Sequence, residues 1–252
     1  MRILISNDDG INAKGLITLA ETVIPLGEVW IVAPNTERSA CSHSLVLDQP
    51  IRIKQVDFPV KVTKAFSLNG TPADCIKISL AEILDFRPDM ILSGINRGAN
   101  LSVDVFYSGT IAAAVEGAFH GIPSMAFSLA SFDPEGDYMQ TSSWIRTLVE
   151  KTFHAPPPEG VILNVNFPGI SAEKFKGLKV TRLAKVEPHE RFHRRLDPKG
   201  HVYFWRSVEM KPSNDDLKED FTAIQNGFIS LSPLKAEFTD FSILEDLRRK
   251  YE

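Results

Sequence analysis

Ser6-Asn7-Asp8-Asp9-Gly10 sets two carboxylates side by side directly behind a short apolar run, Ile3-Leu4-Ile5. Adjacent carboxylates repel, and the pair is unfavourable unless a cation or positive group lies over it. A solvated turn is the plain alternative, because Asn, Asp and Gly are ordinary turn formers. At the end of a buried strand, however, two oxygen donors of this kind suit Mg2+ or Mn2+, which prefer carboxylates and water.

Three further stretches supply oxygen donors or anion-facing amides. Ser93-Gly94-Ile95-Asn96-Arg97-Gly98-Ala99-Asn100 again follows an apolar run, Met90-Ile91-Leu92. Its glycines permit close backbone approach to an ion, and Asn96 and Asn100 can present amide oxygens or amide donors. A loop of positive-φ positions accounts for Gly94 and Gly98 but less well for two asparagines. Tyr107-Ser108-Gly109-Thr110 opens a helical pattern with no acidic residue in its first turn. The free N–H groups there can hold a phosphate, although a Ser N-cap is common in itself. Ala33-Pro34-Asn35-Thr36-Glu37-Arg38-Ser39-Ala40 brings Asn35 and a hydroxyl to the end of another apolar run.

These stretches must be positioned by the elements around them. Ile3-Leu4-Ile5, Val29-Trp30-Ile31-Val32, Met90-Ile91-Leu92, Ser124 to Phe127 and Val161 to Val165 read as strands buried on both faces. Between them, helical spacing recurs at Leu16, Leu19, Ala20 and Val23, and at Ile111, Val115, Ala118 and Phe119. Thr71-Pro72 with Asp74 is a helix start, with Ile76, Leu80, Ile83 and Leu84 as its apolar face. Alternation of this kind requires crossovers and a mainly parallel sheet, hence a three-layer α/β/α sandwich. Ligands then bind at the carboxyl ends of the strands, where all four oxygen-rich stretches lie. Leu45 to Val62 alternates and predicts antiparallel strands beside the sheet. Lys179 to Lys211 is basic and strand-like about Asp197-Pro198-Lys199-Gly200, a hairpin that packs on another subunit. Phe241, Leu244, Leu247 and Tyr251 mark a C-terminal helix with one apolar face. The whole is read as one domain over 1–252, with the core at about 1–170 and the hairpin and terminal segment at about 171–252.

Composition narrows the classes. The 252 residues are 43% hydrophobic and 24% charged, with a net charge of −4 that argues against a nucleic-acid binder. A small phosphorylated substrate remains compatible, since a metal can supply positive charge locally. Two cysteines, Cys41 and Cys75, give neither a disulfide framework nor zinc spacing and read as buried free thiols. No membrane span or signal-peptide core is visible, and a cytoplasmic protein is expected. G-x-G-x-x-G, Walker A, G-x-S-x-G and H-E-x-x-H patterns are missing. His189 and His193, four apart, suit metal ligation on a helix but fall in the basic hairpin, where a surface or interface role is expected.

Taken in order, I-L-I-S-N-D-D-G, A-P-N-T-E-R-S, G-T-P-A-D-C, S-G-I-N-R-G-A-N, Y-S-G-T-I-A-A-A-V-E-G, L-N-V-N-F-P and the S-P-L at Pro233 resemble the survival protein SurE nucleotidases over essentially the whole chain. The resemblance implies dephosphorylation of nucleoside 5'- and 3'-monophosphates, with short polyphosphate as a further substrate. It also implies one divalent metal ion per subunit, Mg2+ or Mn2+, held by Asp8, Asp9, Ser39 and Asn96, with Asp8 and Asp9 catalytic. Phosphate falls to Ser108, Gly109, Thr110 and Asn100; Asn35, read from its residue type in the loop after the second strand, is added on the substrate side. The hairpin and C-terminal segment imply a homodimer or homotetramer. Three positions depart from the family: Ala40 and Ser102 stand where glycine is usual, and Lys14 where proline is usual. The expected reaction is a metal-assisted displacement at phosphorus, with Asp8 as nucleophile or base, or a water attacking in its place. An aspartyl-phosphate phosphatase is disfavoured because Gly10, not aspartate, stands two positions after Asp8. A nucleotide sensor that binds without hydrolysis is the non-enzymatic alternative.

Overall fold

The computed structural model describes residues 1–133, 136–212 and 216–252. In chain order the elements are β1 (Arg2–Ser6), α1 (Lys14–Val23), β2 (Glu28–Pro34), β3 (Ile53–Gln55), β4 (Lys64–Leu68), α2 (Pro72–Ile78), β5 (Met90–Arg97), α3 (Gly109–Phe119), β6 (Ser124–Leu129), α4 (Ser142–His154), β7 (Val161–Phe167), β8 (Leu178–Val180), β9 (Val186–Leu196), β10 (Val202–Pro212), α5 (Asp220–Gln225), β11 (Ile229–Lys235) and α6 (Phe241–Tyr251). Nine strands form one sheet in the order β3-β4-β2-β1-β5-β6-β7-β11-β8.

The apolar runs form the centre of this sheet. β1 lies between β2 and β5 and is parallel to both. Ile3, Leu4 and Ile5 are fully buried because helices cover both faces. Side chains from α1 and α4 pack with Ile3, Ile5 and Leu92 on one face. Leu4, Val32 and Ile91 face Cys75 and Ile76 of α2 and Ala113 of α3 on the other. The chain leaves β1 toward β2 on one side, while β5 enters on the other. That reversal of strand order opens the crevice at the carboxyl end of β1.

Local rules explain the helix starts. Thr71 and Asp74 form a reciprocal capping box, with Pro72 in the first turn, as the sequence predicts. The helix stops at Ile78, earlier than its apolar spacing suggests, and Ser79–Ile83 winds into a wider π-type turn. Phe119, placed on the buried face of α3 by its spacing, is instead exposed at the end of that helix.

Two predicted regions differ in detail. Leu45 to Val62 yields a single three-residue antiparallel edge strand, β3 against β4. The remainder is irregular backbone held by side chains: Asn69 accepts from Arg52 N and donates to Pro50 O, and Asp74 accepts from Val46 N. Lys179 to Lys211 does contain the hairpin, β9 against β10. His189 and His193 therefore lie on a strand, where residues four apart sit about 13 Å from each other. They cannot form a helical i, i+4 ligand pair. The hairpin also carries more apolar surface than its basic sequence implies, with Phe192, Phe204 and Trp205 exposed. α6 buries none of its residues within the chain, and Phe241, Leu247 and Tyr251 remain exposed. Among the described residues no helix is long and apolar enough to cross a membrane.

Candidate active site

β1 delivers Asp8 and Asp9 to the crevice two and three residues beyond Ser6, past the last residues that pair with β2 and β5. Asp8 is buried and its Oδ1 accepts a hydrogen bond from Thr110 Oγ1 at 2.5 Å. Burial pushes the Asp8 carboxyl up to about 6; the Thr110 hydroxyl opposes that rise and the neighbouring Asp9 charge adds to it. Asp9 accepts from the Arg97 backbone N–H at 3.0 Å. Its carboxyl is raised by burial, against the opposing pull of the Arg97 amide and guanidinium. The site thus holds two neighbouring acids whose ionised forms the fold does not fully compensate.

The other predicted residues enter from three sides. Asn96 and Arg97 close β5, and Asn96 Nδ2 donates to Gly98 O at 2.8 Å, which leaves its Oδ1 as an acceptor. Gly94, upstream on β5, has φ +120°, and a Cβ there would stand 2.2 Å from Phe127 O, so only glycine lets β5 and β6 approach at this point. From β2, the following loop brings Arg38 N to Asp8 O at 2.7 Å and carries Ser39 beside it. Ser39 Oγ donates to Glu37 Oε1, which also receives Arg97 Nη2 at 2.9 Å. Glu37 is held below the usual carboxylate range by the Ser39 hydroxyl first and by Arg97.

α3 supplies the third side. Ser108 is its N-cap, and its Oγ accepts from Ile111 N while its carbonyl accepts from Ala112 N. The N–H groups of Gly109 and Thr110 are left at the positive end of the helix. Gly109 is packed directly on Asp8: a Cβ there would lie 2.8 Å from Asp8 Cβ and 2.9 Å from Cys41 Sγ. The Thr110 hydroxyl is committed to Asp8, so the donors this helix start leaves for an anion are the backbone amides. Asn100 lies deeper. Its Nδ2 donates to Ser128 Oγ at 2.9 Å, its N donates to Asn166 Oδ1, and its carbonyl accepts from Asn164 and Asn166.

Asp8 is thus joined to Gly109 and Thr110 at the start of α3, and Asp9 through Arg97, the neighbour of Asn96, to Glu37 and Ser39, while Ser108 caps the same helix and Asn100 is held by Ser128, Asn164 and Asn166. Asn35 stands apart: it is exposed and lines a neighbouring cavity with Arg52, Lys54 and Asn69, whereas Asp9 lines a cavity of about 270 Å³ with Lys14, Glu37, Arg97 and Tyr138. Glu37 and Arg97 were visible inside the quoted motifs but carried no residue-type signal for the bridge they make. Asn164 and Asn166, alternate residues on β7, were likewise quoted without a role. Cys75 is buried and Cys41 half-buried, both free, and burial pushes the Cys41 thiol up to about 11.

Among the described residues no three His, Cys, Asp or Glu side chains gather as a metal cluster. The donor set is two carboxylates with neutral hydroxyl and amide oxygens, which suits a hard divalent cation and not zinc. Asp8, whose carboxyl burial raises, and Asn7 Oδ1, buried without a partner, are the observations that fit such an ion.

Fold and site together define a doubly wound α/β protein with an acidic pair whose buried member, Asp8, packs on a helix N-terminus. The family model described as survival protein SurE matches residues 3–190. A protein from Syntrophobacter fumaroxidans named 5'-nucleotidase SurE is 42% identical over 250 residues, covering 98% of each chain. One of the same name from Alkaliphilus metalliredigens is 42% identical over 249 residues, again covering 98% of each. The crystal structure of the SurE protein from Aquifex aeolicus superposes with a TM-score of 0.88 at 34% identity over 100% of both chains. The chain belongs to the survival protein SurE family.

Proposed function

We propose that this chain is a metal-dependent phosphomonoesterase that removes phosphate from nucleoside 5'-monophosphates. The observation that carries the reading is the Asp8–Asp9 pair, with Asp8 buried at the crevice and in contact with Gly109 and Thr110 at the N-terminus of α3. The relatives' name supports the substrate class. Asp8, Asp9, Ser39 and Asn96 would hold one Mg2+ or Mn2+ ion per subunit. Bound there, the ion would neutralise charge on the phosphoryl group and lower the pKa of a coordinated water.

The chain's own residues do the positioning. Gly109 and Thr110 N–H groups bind phosphate oxygens at the positive end of α3. Thr110 holds Asp8 in one orientation, and Asn100, fixed by Ser128, Asn164 and Asn166, is the further residue assigned to the phosphate. Because backbone amides read the phosphoryl group and not what it is attached to, 3'-monophosphates and short polyphosphate belong to the same substrate range. Exposed Phe192, Phe204, Trp205, Phe241 and Tyr251 supply apolar surface for a homodimer or homotetramer. Free Cys41 and Cys75 are compatible with a cytoplasmic setting.

The test is phosphate release from AMP and GMP with Mg2+, with Mn2+ and with chelator, for wild type and Asp8→Asn. Release that requires metal and vanishes in the variant is expected. Metal-independent release, or full turnover by Asp8→Asn, refutes the reading, and nucleotide binding without release would make the protein a sensor.

A further inference from the structure

Glu116 is a carboxylate that the proposed chemistry does not use. It lies on α3 two turns beyond Ser108 and is only 4% exposed. Its Oε1 is 2.8 Å from His43 Nε2 and its Oε2 is 3.5 Å from Lys77 Nζ. Burial pushes the Glu116 carboxyl up, but the His43 hydrogen bond and the Lys77 charge outweigh it and hold it below the usual range. The His43 ring also stacks on Phe119, with centroids 5.8 Å apart and planes at 12°. One helix face thus grips one imidazole by a hydrogen bond and a ring contact.

His43 belongs to the loop that carries Ser39. Between them Ala40 and Ser42 have φ of 53° and 55°, so the chain makes two left-handed steps within four residues. Such a segment has no ladder of its own to hold it, and its fixed points lie on other elements. Ser42 N donates to Tyr107 O at 2.9 Å and Ser42 Oγ donates to Phe106 O at 2.6 Å, just ahead of Ser108. Ser44 O accepts from Thr71 Oγ1. The Ser39 loop is therefore tied to the segment before α3, to α3 itself and to the start of α2.

We propose that His43 and Glu116 are positioning residues that set the Ser39 loop against the N-terminus of α3. The pair, its members 73 residues apart in sequence, connects the loop of Ser39, on the metal side of the crevice, to the helix whose first amides face the phosphate. Neither residue touches the reacting groups. This role rests on the metal and phosphate assignments given above.

The test uses Mn2+ affinity by titration calorimetry, kcat and KM for AMP, and thermal midpoint, on wild type, His43→Ala, His43→Gln and Glu116→Gln. Thr181→Val is the control for general destabilisation, since it removes two buried hydroxyl contacts, to Ser230 and Ser232, at the far edge of the sheet. His43→Ala is expected to weaken Mn2+ binding about 10- to 100-fold, the usual effect of removing a group that orients a metal ligand. His43→Gln, whose amide can reach the same carboxylate, recovers most of that loss. Thr181→Val lowers the midpoint without changing Mn2+ affinity. His43→Ala, being half-exposed, keeps the test open if Glu116→Gln fails to fold. Unchanged Mn2+ affinity in folded His43→Ala overturns the positioning role while wild-type turnover stands. A wild type that binds no Mn2+ and releases no phosphate overturns the site assignment, and the positioning role with it.

Discussion

Ala40 and Ser102 both adopt left-handed backbone, with φ of 53° and 51°, at positions where a glycine would be unstrained. Replacing each by glycine separates two effects that usually travel together. A non-glycine residue in this region costs roughly 1–2 kcal/mol, and glycine returns about 0.4–1 kcal/mol of that through the greater freedom of the unfolded chain. Ala40 is exposed, and its side chain is a single methyl group. Ala40→Gly should therefore stabilise by about 0.5–1 kcal/mol, a rise of about 1–4 °C in the thermal midpoint for a chain of this size. Ser102 is 1% exposed and its Oγ donates to Ala184 O at 2.7 Å. Removing that hydroxyl leaves a buried carbonyl short of its donor, a loss of about 1–3 kcal/mol that cancels or exceeds the relief. Ser102→Gly should thus be neutral or destabilising. Differential scanning fluorimetry backed by urea titration of both variants measures the contrast. A lowered midpoint for Ala40→Gly, or an equal rise in both, refutes the reasoning.

Two further outcomes follow from the same geometry. Gly109→Ala places a methyl group 2.8 Å from Asp8 Cβ, 2.9 Å from Cys41 Sγ and 3.0 Å from Pro72 Cγ, three elements that cannot all retreat. It should destabilise by about 1–3 kcal/mol and lower kcat/KM for AMP by about 100-fold through displacement of the acid pair; near-wild-type kinetics would show that Gly109 does not set that distance. Asp220 is buried and accepts from the N–H groups of Ser102, Ala184 and Phe221. Burial raises its carboxyl above the ordinary 3.8 despite those bonds. The folded state then binds its proton more tightly than the unfolded state, so this contribution to stability is full below 3.8 and is lost as pH rises through the folded value. Urea titrations across that window should show a shallower fall for Asp220→Asn than for wild type, and an unchanged slope would sink the assignment.

The sheet was legible because Ile3-Leu4-Ile5 and Met90-Ile91-Leu92 are buried on both faces, which leaves an apolar run with no alternation to misread. The start of α2 was legible because a capping box is a local signal, complete within Thr71 to Asp74. The acid pair was legible by its place at a strand end. What was hidden depends on distance along the chain. The alternating Ile51-Arg52-Ile53-Lys54 predicted a ladder, but Asn69 and Asp74 satisfy that backbone with side chains, so little strand forms. His189 and His193 were legible as hairpin residues because the basic, strand-like run about Asp197-Pro198-Lys199-Gly200 marks the element locally. Phe119 kept helical spacing, yet it sits at the last position of α3, where it stacks on His43 outside the core.

α3 shows why the site needs a helix of this composition. Ala112, Ala113, Ala114 and Gly117 are small, so the helix lies close against β5 and β6; a Cβ on Gly117 would stand 2.3 Å from Ser124 Oγ. That close approach is what brings Gly109 onto Asp8 and Thr110 within hydrogen-bond reach of the same carboxylate. It also leaves almost no solvent-facing position on the helix, so the one charge it carries, Glu116, is buried and must be paired. The pairing partner, His43, comes from the loop bearing Ser39. Small residues on one helix thereby place its first amides against Asp8 and oblige a distant loop to close the other side. A bulky side chain anywhere along that face would lift the N-terminus of α3 and loosen all three at once.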